Sequence, residues 1–140
     1  MDAQTIQFER DKVCYEQNCE TFRALNTLMW QVPIIAMTIT GGLWFGIGSV
    51  SGLGIAAKGG VLLLSFIVNY GLIVVLRRIR YVMTEYLKIT EKFNPDGHAL
   101  APGDSWFTRS HVVINTFSLM LGLSGLMSLI GVILLACGKV

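Results

Sequence analysis

Neutral polar residues set at helical spacing inside charge-free stretches carry most of the chemistry this chain can do. Gln31, Thr38, Gly42 and Phe45 fall roughly along one helical stripe, and Ser65 and Asn69, four apart, share another. Asn115, Ser118, Gly122 and Gly125 follow a 3-4-3 spacing, with Ser124 and Ser128 forming a further small-residue pair. In an apolar medium such groups do one of two things. They hydrogen-bond one helix to another, or they line a water-filled path. Both readings stand for Thr38, Ser65 and Asn69, whereas the 115–128 set reads as a packing seam, within the subunit or across a symmetry axis.

Other chemistries lack their parts. No Asp or Glu falls in the apolar stretches, so no paired carboxylates or nucleophile–base–acid set is laid out there, and the chain does not read as an enzyme. His98 and His111 are too few and too scattered for a metal cluster, so neither a metal nor a cofactor is expected. Cys14, Cys19 and Cys137 read as free thiols rather than a disulfide framework. Gly46, Gly48, Gly52, Gly54, Gly59 and Gly60 imitate the spacing of a phosphate-binding loop, but no strand precedes them and the motif fails. A net charge of +2, with no basic run beside an aromatic platform, argues against nucleic-acid binding. Arg77, Arg78 and Arg80 read either as anchors on the anionic headgroups of membrane lipids or as a patch for an anionic ligand such as a nucleotide, since guanidinium binds phosphate bidentately.

The elements that hold these residues are defined by missing charge. No Asp, Glu, Lys or Arg occurs over 24–57, 59–76 or 110–138, runs of 34, 18 and 29 residues. A helix needs roughly 20 apolar residues to cross a bilayer core. The sequence therefore predicts an all-α integral membrane protein with three transmembrane helices and cytosolic helical extensions, assembled as a symmetric homo-oligomer. Its segments are a cytosolic amphipathic helix over 1–27, a two-span hairpin over 28–76, a cytosolic helix and loop over 77–110, and a third span over 111–140. The first 23 residues are polar and lack the apolar core of a secretory signal. No Gly or Pro parts the first segment from the first span, which allows one long rod. Pro33 is expected to start or bend the span. The apolar pattern Ile79, Val82, Met83, Tyr86, Leu87 and Ile89 extends the second span to Phe93. Asn94, Pro95, Asp96 and Gly97 should end it, and Trp106 and Phe107 should return the chain to the membrane interface.

Nine of the eleven Lys and Arg residues, and all nine Asp and Glu residues, lie before the first span or between the second and third. Positive charge beside span ends is retained in the cytoplasm. The expected topology has the N-terminus and the 77–110 segment inside, and the hairpin and the C-terminus outside.

The segment FRALNTLMWQVPIIAMTITGGLWFG is the most distinctive stretch. With the N-terminal cytosolic helix, the tight two-span hairpin at 28–76 and the helical extension after it, the layout resembles small multi-span effectors of bacterial antiviral and nucleotide-signalling operons, including SLATT-type proteins. The third span departs from a simple two-span effector. The resemblance implies permeabilisation or depolarisation of the inner membrane on infection, controlled by a cytosolic partner enzyme or its nucleotide product. From the residues themselves, the leading expectation is a homo-oligomeric channel or pore-forming effector gated through its cytosolic helices, with Phe45 or Trp44 as a hydrophobic constriction. The alternative is a non-conducting membrane scaffold that recruits a cytosolic enzyme.

Overall fold

The computed structural model describes residues 3–93 and 111–138. The expected turn at 94–97 and the return through Trp106 and Phe107 lie outside them. Three helices account for nearly all of the described chain: α1 over Ala3–Ser49, α2 over Ile55–Phe93 and α3 over Val112–Ala136. At 1.5 Å per residue they are about 70, 58 and 37 Å long. Each is long and apolar enough to cross a membrane. The chain is thus an all-α, multi-pass membrane protein. Large apolar side chains such as Ile34, Leu64, Ile67, Val74, Leu119, Leu123 and Ile133 are exposed along all three helices, as lipid contact allows.

α1 is one unbroken helix, so its charged first half and its apolar second half form a single rod. Pro33 lies inside it and neither starts nor ends it. A proline there has no N–H to give to the carbonyl four residues back, that of Met29. Membrane helices tolerate that loss when neighbouring elements support the backbone. α2 likewise runs from the hairpin through the arginine cluster to Phe93.

The helices lie in the order α1, α2, α3, with α2 packed along both neighbours and α1 meeting α3 at only a few points. The core sits where all three converge. Met29 and Val32 of α1, Leu76 and Met83 of α2 and Ile114 of α3 are buried together, flanked by Phe22, Leu25, Leu72, Ile79 and Phe117. Beyond α3's reach, α1 and α2 continue as an antiparallel pair that closes with Tyr15 stacked on Phe93, ring centroids 4.9 Å apart.

The α1–α2 connection occupies residues 50–54. Gly52 has φ +97°, a conformation L side chains rarely adopt, while Gly54 has no positive φ and open space at its Cβ position. Gly52→Ala should therefore lower stability by about 1–2 kcal/mol, and Gly54→Ala should leave it nearly unchanged. Thermal unfolding of the purified variants in detergent, side by side, checks the contrast.

Candidate functional site

A chain of hydrogen bonds crosses all three helices inside the apolar zone. Asn69 is only 1% exposed and uses both protons of its amide: Nδ2 donates to Thr40 Oγ1 across the α1–α2 interface at 2.8 Å and to the Ser65 carbonyl one turn back at 2.8 Å. One turn further toward the hairpin, Ser128 Oγ of α3 lies 3.0 Å from Ser65 Oγ and 3.2 Å from the Ser124 carbonyl, either of which accepts its one proton. Ser128 Oγ in turn accepts the indole N–H of Trp44 at 3.1 Å. Ser65 and Ser128 are wholly buried. The amide orientation of Asn69 follows from its partners, because the Ser65 carbonyl can only accept and needs the N–H₂ side facing it. Two buried oxygens, Asn69 Oδ1 and Ser118 Oγ, have no partner.

Small residues make this contact possible. At Gly125 a Cβ would meet Asn69 Cβ at 3.5 Å and Phe66 Cδ2 at 3.6 Å, so α3 packs directly on α2 beside the amide. The buried seam of α3 runs through Ile114, Ser118, Leu121, Gly125, Ser128 and Leu135. Asn115 is exposed and Gly122 half-buried with open space at its Cβ position, because both lie one residue out of phase with that seam.

The other expected positions separate by helix face. Gln31, Thr38, Gly42 and Phe45 are all exposed on α1, Phe45 at 75%, and point away from α2 and α3. A Cβ added at Gly41, Gly42, Gly46 or Gly48 would meet nothing within 4 Å. Thr38 Oγ1 donates back to the Ile34 carbonyl at 2.9 Å, which engages its proton and leaves its lone pairs facing outward. Ser65 and Asn69 do not join that stripe; the threonine they meet is Thr40, two residues on and roughly 160° around the helix from Thr38 by the 3.6-residue period. Trp44 turns toward α3, so Phe45 alone of the two aromatics belongs to the open face.

Arg77 and Arg78 are exposed and Arg80 half-buried. The Arg78 guanidinium carbon lies 5.4 Å from the Tyr81 ring centroid, a cation–π contact that keeps it beside α2. Further along, the Glu85 carboxylate accepts a hydrogen bond from Lys88 at 2.8 Å and holds that ammonium above its ordinary range. Both groups are exposed to solvent, where such a pair stabilises little. Among the described residues no three His, Cys, Asp or Glu side chains gather as a metal site would require.

Across α1 and α3, two aromatic bridges frame a groove. Trp30 meets Phe117 edge-on, centroids 5.6 Å apart, and Trp44 reaches Ser128. Between them lies a cleft of about 410 Å³ whose floor includes Asn69. Sequence reasoning finds the polar residues but misses this cleft, since it depends on which face of α1 meets α3.

The chain matches no protein-family model, no curated protein and no solved structure.

Ser128→Ala should orphan the Trp44 N–H and the Ser65 hydroxyl together and lower stability by about 1–2 kcal/mol. Gly125→Ile should overpack the α2–α3 contact by about 1–3 kcal/mol, while Gly122→Ile should be close to neutral. Unfolding midpoints in one detergent, with the exposed Ser51→Ala as reference, would test both.

Proposed function

We propose that the chain is one subunit of a homo-oligomeric membrane channel or pore-forming effector, in which α1 lines the path. One observation carries this reading. Ser65, Asn69 and Ser128 of α2 and α3 are engaged inside the subunit, whereas the polar, glycine-bearing stripe of α1 is left bare. In hydrocarbon an exposed Gln31 and the open lone pairs of Thr38 are costly unless protein or water meets them. Three helices enclose no aqueous path, so a ring of copies is required. Packed around an axis, the stripes would present Gln31, Thr38 and Gly42 to water, with Phe45 narrowing the path as a hydrophobic constriction.

The charge distribution supports a topology with the α1–α2 extension and the N-terminus in the cytoplasm, and the 50–54 connection and C-terminus outside. The paired extension is then where a cytosolic enzyme or a nucleotide would act on the channel. Opening would depolarise the membrane, in keeping with the resemblance to antiviral effectors. Asn69 and Ser65 hold the subunit together in this reading and do not face the path. A second reading, a non-conducting scaffold, draws on a cleft of about 400 Å³ in the extension lined by Asp11, Cys14, Tyr15, Asn18, Lys92 and Phe93, where a soluble partner could dock.

Single-particle electron microscopy of the detergent-solubilised protein should show a closed ring of four or more subunits with a central dip. In a background where Cys14, Cys19 and Cys137 are replaced by Ser, Thr38→Cys or Gly42→Cys should react with small aqueous thiol reagents and block current in planar bilayers, while Leu123→Cys should not react. A monomer or compact dimer, silence in every recording and protection at both positions would overturn the channel. A stable complex with a soluble protein would then favour the scaffold.

A further inference from the structure

α2 buries Ser65, Asn69, Leu76 and Met83 along one side. By the 3.6-residue period, Ile67, Tyr70, Val74, Arg77, Arg78 and Tyr81 fall on the other. All six are exposed. No charged residue occurs over 59–76, so along this face an apolar surface passes directly into two guanidiniums. From Arg78 back to Ile67 is about 16 Å along the helix axis. The hydrocarbon of one leaflet is about 15 Å deep. Gly71 is exposed beside Ile67 and Val74 with open space at its Cβ position, which leaves a notch in the apolar stretch.

The two arginines at its end carry unspent charge. Among the described residues neither Arg77 nor Arg78 is ion-paired. The first carboxylate after them on α2 is Glu85, and Lys88 already holds it at 2.8 Å. The guanidinium of Arg78 sits 5.4 Å from the Tyr81 ring centroid, which draws it away from the apolar stretch toward headgroup level. Arg80 is half-buried and does not share this face. A soluble phosphate compound has no use for the apolar half of such a surface. A phospholipid matches both halves at once.

We propose that this face of α2 binds one anionic phospholipid, whose phosphate is clamped by Arg77 and Arg78. An acyl chain lies in the Gly71 notch between Ile67 and Val74, and Tyr81 steadies Arg78 beside the headgroup. The planar fork of arginine suits a phosphate's paired oxygens. A zwitterionic lipid brings an ammonium next to its phosphate, which the second guanidinium repels, so a net negative headgroup is preferred. The distribution of positive charge assigns this lipid to the cytoplasmic leaflet. The site does not depend on conduction, so it stands or falls apart from the channel.

The test uses the full chain in phosphatidylcholine nanodiscs, where both faces carry the same lipid and orientation has no effect. Trace phosphatidylglycerol with a diazirine in its acyl chain is compared with phosphatidylcholine bearing the same chain. Phosphatidylglycerol should label the segment around Gly71 saturably, and about five- to thirtyfold more, as one or two basic residues at a membrane surface allow. Arg77→Gln with Arg78→Gln should remove that preference without moving the unfolding midpoint, since both positions are exposed. Arg77→Lys with Arg78→Lys keeps the charge but not the fork, and should retain only part of it. Lys88→Gln, a charge removed further from the membrane, should leave it unchanged. Equal labelling by the two lipids, or full preference in the lysine variant, would overturn the clamp. Competition by inorganic phosphate or ATP would make the ligand a soluble one and overturn the lipid site. An intersubunit disulfide through Val74→Cys that excludes the probe would also overturn it, because a second copy would then cover the face.

Discussion

Polar groups in hydrocarbon have nowhere to turn but to each other, and this protein answers that constraint with one hydroxyl. Ser128 accepts from α1 through Trp44 and lies against α2 through Ser65, so a single small side chain on α3 joins all three helices. Asn69 extends the chain one turn away by bonding Thr40. Between helices whose outer faces are as apolar as their packed faces, shape alone specifies rotation poorly. The hydrogen bonds do it instead: turn any helix by one residue and a donor or acceptor is buried alone. Gly125 is part of the same contact, because a Cβ there would already lie at van der Waals distance, 3.5 Å, from Asn69 Cβ.

The placement of α2 follows. It supplies the middle of the polar chain and packs on both neighbours, and α1 and α3 meet at few points, among them the Trp30–Phe117 contact and the Ser128 bond. That arrangement leaves one face of α1 bare and one cleft open, and the two lie on different sides of α1. The bare face carries Gln31, Thr38, Gly42 and Phe45. The cleft carries Met37 and Thr40. A single helix thereby presents one bare polar face and, on another side, one wall of the cleft.

Much of the architecture is legible in the sequence because charge is so poorly tolerated in a bilayer. Three charge-free runs become three helices, and the periodicity of Ile79, Met83, Tyr86 and Ile89 carries α2 through Phe93, the last residue described before 111. Rotational phase is far less legible. Thr38 and Thr40 look equivalent in the sequence, yet one faces out and the other bonds Asn69. Asn115 and Gly122 fit the spacing of a seam that runs one residue away, through Ser118 and Gly125. A soluble helix reveals its buried side by contrast with charged residues on the other, and these spans have no such contrast. Pro33 reads as a start or a bend, and the helix runs on through it, which excludes the start.

The unbroken course of α1 has a mechanical corollary. From the Tyr15–Phe93 stack to the end of the helix at Ser49 there is no loop to absorb motion, only a continuous ladder of backbone bonds. Its sole missing rung is the one Pro33 cannot supply, between the buried Met29 and Val32 on one side and the buried Ala36 on the other. α1 is thus a lever with its compliance concentrated at one place. A push on the polar arm would reach the apolar arm as tilt or twist about that point, working against the ties that Thr40 and Trp44 make to α2 and α3.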